Sequence, residues 1–159
     1  MKSSTKLPLK PVRLLGIALV LGACSESAVV LDNGTVSQWD TMRGRWVLVN
    51  YWAEWCAPCR REIPELNEIH HDSSETNVYV LGVNFDGIEG DALEALKEEM
   101  GIAFPQLGAD PSPRWGQSAP TILPTTYVID PNGQLARVLV GPQTIESLMA
   151  AVEAANPGP

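Results

Sequence analysis

Cys56 and Cys59 stand two residues apart in Trp55-Cys56-Ala57-Pro58-Cys59. Two thiols at this spacing can close a small, reversible disulfide. The same spacing also supplies zinc ligands, so alone it decides little. Its setting decides more. The pair follows an apolar run of strand length, Val47-Leu48-Val49-Asn50-Tyr51-Trp52, and opens a stretch with helical periodicity. On such a strand-to-helix corner the first cysteine meets the unpaired backbone N–H groups of a helix start. These groups stabilise a thiolate, which makes Cys56 the nucleophile.

The elements that must position the pair follow from the pattern around it. Trp46 to Trp52 has no polar alternation, as expected for a central strand buried on both faces. A helix is predicted from about Ala57 to His71, with Ile63, Leu66 and Ile69 inward. Pro64 lies inside it, removes one backbone hydrogen bond and should kink it. Val78 to Phe85 is a second buried strand, and Asp91 to Met100 an amphipathic helix on Leu93, Leu96 and Met100. Ala109 to Thr121 is a Pro-rich connection. Thr125 to Ile129 and Leu135 to Val140 are strands joined by Asp130-Pro131-Asn132-Gly133. A last helix, about Thr144 to Ala155, places Ile145, Leu148, Met149 and Val152 on one face. Near the start, Val29-Val30-Leu31 and Thr35-Val36 flank Asp32-Asn33-Gly34 as a small β-hairpin. The order predicts an α/β domain with a mixed sheet and helices on both faces. No repeat and no second domain is visible.

The chain of 159 residues holds one such domain, 29–159, behind a leader and a short tether, 24–28. Lys2, Lys6, Lys10 and Arg13 form a basic start. Leu14 to Leu21 is apolar but well short of the roughly 20 residues that span a bilayer. Leu21-Gly22-Ala23-Cys24 then resembles the lipobox of bacterial lipoproteins, which implies cleavage after residue 23 and a lipid on Cys24. An ordinary secretory cleavage nearby and an uncleaved anchor are the alternatives. Ser25, after that cysteine, resembles an outer-membrane sorting position. With Cys24 lipidated, Cys56 and Cys59 are the remaining cysteines, and export puts them where a disulfide persists. Beyond residue 23, 7 Lys and Arg face 19 Asp and Glu, a net charge of −12. That excludes nucleic acid and charge-driven binding to anionic lipid as partners.

Three ordered motifs carry a family resemblance. Trp52-Ala53-Glu54-Trp55-Cys56-Ala57-Pro58-Cys59 resembles the thioredoxin active site. Arg60-Arg61-Glu62-Ile63-Pro64-Glu65-Leu66 and Leu123-Pro124-Thr125-Thr126-Tyr127-Val128-Ile129-Asp130 resemble the exported TlpA/ResA-like branch of that fold. The likeness spans about residues 29 to 155. It implies a thioredoxin-like fold in which Cys56 is the exposed, low-pKa attacker and Cys59 resolves the mixed disulfide. It also implies that Pro124 is the cis-proline whose loop faces the cysteines and offers backbone to a substrate strand, with Leu123 touching the sulfurs. Pro120 is a rival for the cis bond, and the loop Ser118 to Leu123 is longer than usual. Trp55, Ala57 and Pro58 complete the substrate-facing rim.

Asn50 stands where cytosolic thioredoxins have a buried, proton-exchanging Asp. Glu62, one helical turn past Cys59, matches a glutamate that tunes the thiols in ResA-like proteins. Its pKa is expected to be raised by burial and a nearby thiolate. The plainer alternative is a surface Glu beside Arg60 and Arg61. Strong oxidants of this fold carry His before the second cysteine. Here Pro58 offers no imidazolium, which points to a reducing poise.

The sequence thus predicts an envelope enzyme that reduces protein disulfides, monomeric, without bound cofactor or metal. Its implied partners are protein thiols or disulfides and a membrane thiol reductase relay that returns electrons. Cytochrome c maturation and reduction of copper-site thiols are the implied settings. It would be lipid-anchored facing the periplasm, or at the cell surface of a Gram-positive cell. A disulfide oxidase or isomerase, a peroxidase of the peroxiredoxin type, and a copper-binding module using both thiols are the rivals. His70 and His71 could in principle join the cysteines on zinc, but adjacent helical positions diverge by about 100°. Trp39, Trp46 and Trp52 are expected to be core, Glu54 exposed, and Asp86 to Glu99 a solvated acidic face.

Overall fold

The computed structural model describes residues 28–30, 36–38 and 42–156. The leader, Cys24, Ser25, the Asp32-Asn33-Gly34 turn and Trp39 lie outside the described residues. β1 (Ala28–Val30) and β2 (Val36–Gln38) pair antiparallel, Val30 opposite Val36, so the predicted hairpin forms one residue away from its expected ends.

The main sheet has the order β4-β3-β5-β6. β3 (Trp46–Trp52) is central, and all seven of its residues are buried, as an unbroken apolar run requires. It runs parallel to β4 (Val78–Asn84), from Trp46 opposite Val78 to Trp52 opposite Asn84. On its other side β5 (Thr125–Ile129) is antiparallel, and β6 (Leu135–Val140) closes the sheet antiparallel to β5. β4 ends one residue before the expected Phe85. A further edge segment joins it: Gly82 N–H donates to Pro105 O at 2.8 Å, and Leu107 N–H donates to Gly82 O at 2.8 Å.

Helical cover on the two faces is unequal. α1 (Ala57–His71), α3 (Gly90–Met100) and α4 (Ile145–Ala155) share one cluster with Leu48, Val80 and Val128. The opposite face, built on Val47, Val49, Tyr51, Leu81 and Tyr127, is covered by Met42, Leu107 and Trp115. Trp115 ends a 3-10 turn, Ser112–Trp115, inside the Pro-rich connection. α1 runs unbroken through Pro64, which sits on its exposed side. The short α2 (Ser73–Thr76) follows, and Asn77 at φ 58° turns the chain into β4. The last helix begins at Ile145 because Thr144 is its cap: Thr144 Oγ1 accepts from Ser147 N–H, and Ser147 Oγ from Thr144 N–H.

One close approach is fixed by glycine. A Cβ on Gly82 would collide with the Gln106 side chain, which lies fully buried across β4. From there Gln106 accepts from the Trp52 indole N–H at 2.7 Å and donates to Phe104 O at 3.2 Å. Gly82→Ala must therefore displace Gln106 and loosen Trp52. It should lower stability by about 1–3 kcal/mol, measured by denaturant unfolding. A midpoint equal to that of the unaltered protein would contradict this packing.

Candidate active site

β3 delivers the chain to the carboxyl end of the sheet, where Ala53 to Trp55 turn it into α1. Cys56 is the N-cap of that helix, and its sulfur accepts the Cys59 N–H at 3.2 Å. A thiolate there has a backbone donor aimed at it, together with the positive end of the helix. The two cysteines are joined as a disulfide, their Cα atoms 5.3 Å apart.

The expectation of an exposed Cys56 is corrected. In the disulfide form the residue is 3% exposed and Cys59 1%. The cause is packing: Cys56, at the helix start, is part of the buried cluster that holds Trp52, Ala53 and Ile63. The neighbours carry the surface instead. Trp55 is 66% exposed, Ala57 is exposed and Pro58 half-buried. The Trp55 indole donates to Asp86 Oδ2 at 3.0 Å and meets Phe85 edge-on at 6.2 Å. Glu54 is exposed and Trp46 and Trp52 are buried, as expected.

The Leu123–Pro124 peptide is cis, which decides between Pro124 and Pro120. Leu123 packs against the cluster containing both cysteines. Pro124 O accepts from Gly141 N–H at 2.8 Å, and Thr125 Oγ1 donates back to Ile122 O at 2.7 Å, so the loop is tied on both sides of the cis bond.

Beneath the cysteines lies Glu62, 1% exposed. The surface alternative beside Arg60 and Arg61 is overturned. Helical geometry explains it: position 62 shares the inward face with Cys59, Ile63 and Leu66, whereas Arg60 points out and pairs with Glu99 at 3.6 Å. Asn50 Nδ2 donates to Glu62 Oε2 at 3.1 Å and to Thr126 Oγ1 at 2.9 Å. Gln143 N–H donates to Glu62 Oε1 at 3.2 Å. Burial pushes the carboxyl up to about 7, against the opposing pull of the Asn50 and Gln143 hydrogen bonds.

Sequence reasoning missed three members of this arrangement. Thr126 carries the second Asn50 bond. Gln143 contributes through its backbone, which no residue type signals. Glu65, one turn after Glu62, accepts from Ile145 N–H at 3.0 Å and so caps α4 from α1. Its i+3 spacing from Glu62 was the available signal. His70 and His71 lie in the last turn of α1, about 20 Å of helix from the cysteines. His70 instead packs edge-on against Tyr79. No group of three or more metal-ligating side chains occurs among the described residues.

The carboxyl of Glu62 has a consequence for stability. Between its ordinary value of 4.5 and about 7, the folded protein holds a proton that the unfolded chain has released. Stability of the oxidised protein must fall as pH rises through that window, by roughly 3 kcal/mol at most. Glu62→Gln should flatten that slope and be the more stable protein above pH 7. A pH series of denaturant midpoints measures it; equal slopes would contradict burial as the cause.

Residues 26–138 match the AhpC/TSA family. The thiol-disulfide oxidoreductase ResA of Geobacillus kaustophilus is 30% identical over 88% of this chain and 80% of its own length. The thiol:disulfide interchange protein HelX of Rhodobacter capsulatus is 34% identical over 72% of this chain and 62% of its own. Among solved structures, a thioredoxin-family thiol:disulfide interchange protein from Chlorobium tepidum superposes with TM-score 0.67 at 25% identity, covering 80% of this chain and 91% of that one.

Proposed function

The chain belongs to the AhpC/TSA family, and we propose that this thiol–disulfide oxidoreductase works in the cell envelope as a reductant of protein disulfides. The observation that carries the mechanism is a buried carboxyl, neutral or charged near pH 7, below a cysteine pair at a helix start.

In the reduced enzyme the Cys56 thiolate attacks one sulfur of a substrate disulfide. A Cys56–substrate bond forms, and the displaced substrate sulfur leaves as a thiolate and takes a proton. Cys59 gives its proton to the Glu62 carboxylate and attacks Cys56. The Cys56–Cys59 bond forms and the second substrate sulfur leaves. Two electrons have passed to the substrate, and Glu62 holds a proton until the pair is reduced again. Asn50 cannot take that proton; it holds the carboxyl in place. Trp55, Ala57, Pro58, Leu123 and Pro124 form the surface on which the substrate chain lies. Pro58, in place of a histidine, leaves the Cys56 thiolate without an imidazolium partner, which supports a reducing rather than an oxidising poise.

The chemistry needs no bound cofactor. It does need a source of electrons, and a membrane thiol reductase relay supplies them by the family likeness. The same likeness suggests the thiols of apocytochromes c or of copper-delivery proteins as substrates. A lipid on Cys24 would hold the enzyme to the membrane, facing the periplasm, with Ser25 favouring the outer membrane. Among the described residues no helix is long and apolar enough to cross a membrane.

Cys56→Ser should abolish reduction of a protein disulfide, whereas Cys59→Ser should accumulate the mixed disulfide, visible on a non-reducing gel. Glu62→Gln should slow turnover at neutral pH on the order of a hundredfold and change the thiol titration. An unchanged titration would remove Glu62 from the mechanism. Thiol trapping in growing cells tests direction: a mostly reduced pair supports the reductant, and a mostly oxidised one, with the relay intact, a disulfide donor.

A further inference from the structure

The connection from Gly108 to Leu123 contains one turn of 3-10 helix and no strand. It is Pro-rich and largely exposed, yet it delivers the cis Leu123–Pro124 peptide to the cysteines. Something must hold it against the sheet, since a free segment of this length would carry Leu123 through many positions.

Three aromatic side chains do so. The Tyr51 hydroxyl donates to Asp110 Oδ1 at 2.7 Å, the Trp115 indole donates to Gly133 O at 3.0 Å, and the Tyr127 hydroxyl donates to Ser118 O at 3.2 Å. Their rings touch in series, Tyr51 with Tyr127 at 5.1 Å and Tyr127 with Trp115 at 6.1 Å. The Tyr51–Asp110 bond is the shortest of the three and its acceptor is a carboxylate, the stronger kind. Asp110 also organises the connection itself, accepting from Ser112 N–H at 2.9 Å and Ser112 Oγ at 2.8 Å. Tyr51 is fully buried on β3, next to Asn50 and opposite Thr125, the residue after Pro124. One hydrogen bond therefore ties the rigid central strand, at the level of the active site, to the far end of the connection. Tyr51 and Asp110 also line a cavity of about 450 Å³ together with Asn84, Phe85 and Leu107. Burial and the Asp110 carboxylate raise the phenol well above its ordinary value, so it remains a donor at every working pH.

We infer that Tyr51 and Asp110 are positioning residues, a latch that sets the Leu123–Pro124 loop at the distance a protein substrate needs from Cys56. This rests on the reductase reading given above. The latch touches neither sulfur, so it acts on how a polypeptide is held and leaves the reactivity of the pair unchanged.

The test compares two disulfides. Reduced enzyme is mixed in single turnover with insulin, a protein disulfide, and with 5,5′-dithiobis(2-nitrobenzoate), which needs no strand-like docking. Tyr51→Phe should slow insulin reduction roughly three- to tenfold, the factor one lost hydrogen bond commands. The small disulfide should react at the unaltered rate, and the equilibrium with glutathione should stay the same. Asp110→Asn keeps an acceptor for the Tyr51 hydroxyl and should retain most of the insulin rate, while Asp110→Ala should lose it. Independently of activity, amides of residues 111–123 should exchange faster with solvent in Tyr51→Phe and Asp110→Ala. Equal slowing with both disulfides, or no slowing with either while the unaltered enzyme is active, overturns the latch alone. Failure of the unaltered enzyme to reduce insulin at all overturns the reductase reading and the latch with it.

Discussion

An ionisable carboxyl kept out of water is the constraint around which this molecule is arranged. Glu62 is as buried as the leucines beside it, and burying such a group without partners is unfavourable by several kcal/mol. Each partner it has comes from a different element: Asn50 from the central strand, and the Gln143 amide from the turn before α4. Asn50 is in turn bonded to Thr126 on β5. So the strand that leads into the cysteines, the strand that follows the cis-proline, and the start of the last helix all converge on one side chain. The surroundings of this carboxyl are therefore set jointly by three elements that are far apart in the chain.

The sheet order makes that convergence possible. β3 is central, with β4 and β5 on its two sides, so its carboxyl end is the best-fixed point of the fold. Both the Cys56–Cys59 corner and the Pro124 loop sit at that end. The unequal cover of the two faces follows a division of labour. α1, α3 and α4 bury the face on which Glu62 and the cysteines lie. The other face is left to a connection that can reach the active site, pinned there by Tyr51, Trp115 and Tyr127.

Much of this was legible in the residues. The seven-residue apolar run at β3, the periodic stripe of α1 and the Leu93, Leu96, Met100 face of α3 identified their elements, because burial on one or both faces leaves a repeating trace. The cysteine pair was legible through spacing, and Glu62 through the family likeness. Side-chain direction was not legible. The burial of Cys56 depends on tertiary packing around the helix start, which the spacing of two cysteines does not orient. The choice of Pro124 over Pro120 depends on tertiary contacts around the peptide, and both are simply prolines in the string. Gln143 and Gly82 were missed for a related reason. One acts through its backbone N–H and the other through an absent side chain.

The position of the Glu62 pKa near neutrality can be argued from the same parts. Burial alone would drive the carboxyl further up and leave it a permanent acid at neutral pH. Two hydrogen bonds to a solvated carboxylate would draw it down and leave it a permanent base. Here both act on one group and oppose each other. The Gln143 donor is held by α4, whose first turn is itself capped by Glu65 from α1. Two carboxylates one turn apart on α1 thus meet the same helix start in different roles. Half-buried Glu65 holds the first N–H of α4, and fully buried Glu62 holds the Gln143 N–H just before it. The setting of the Glu62 carboxyl is therefore a property of how α1 and α4 are joined, some distance along the chain from the cysteines themselves.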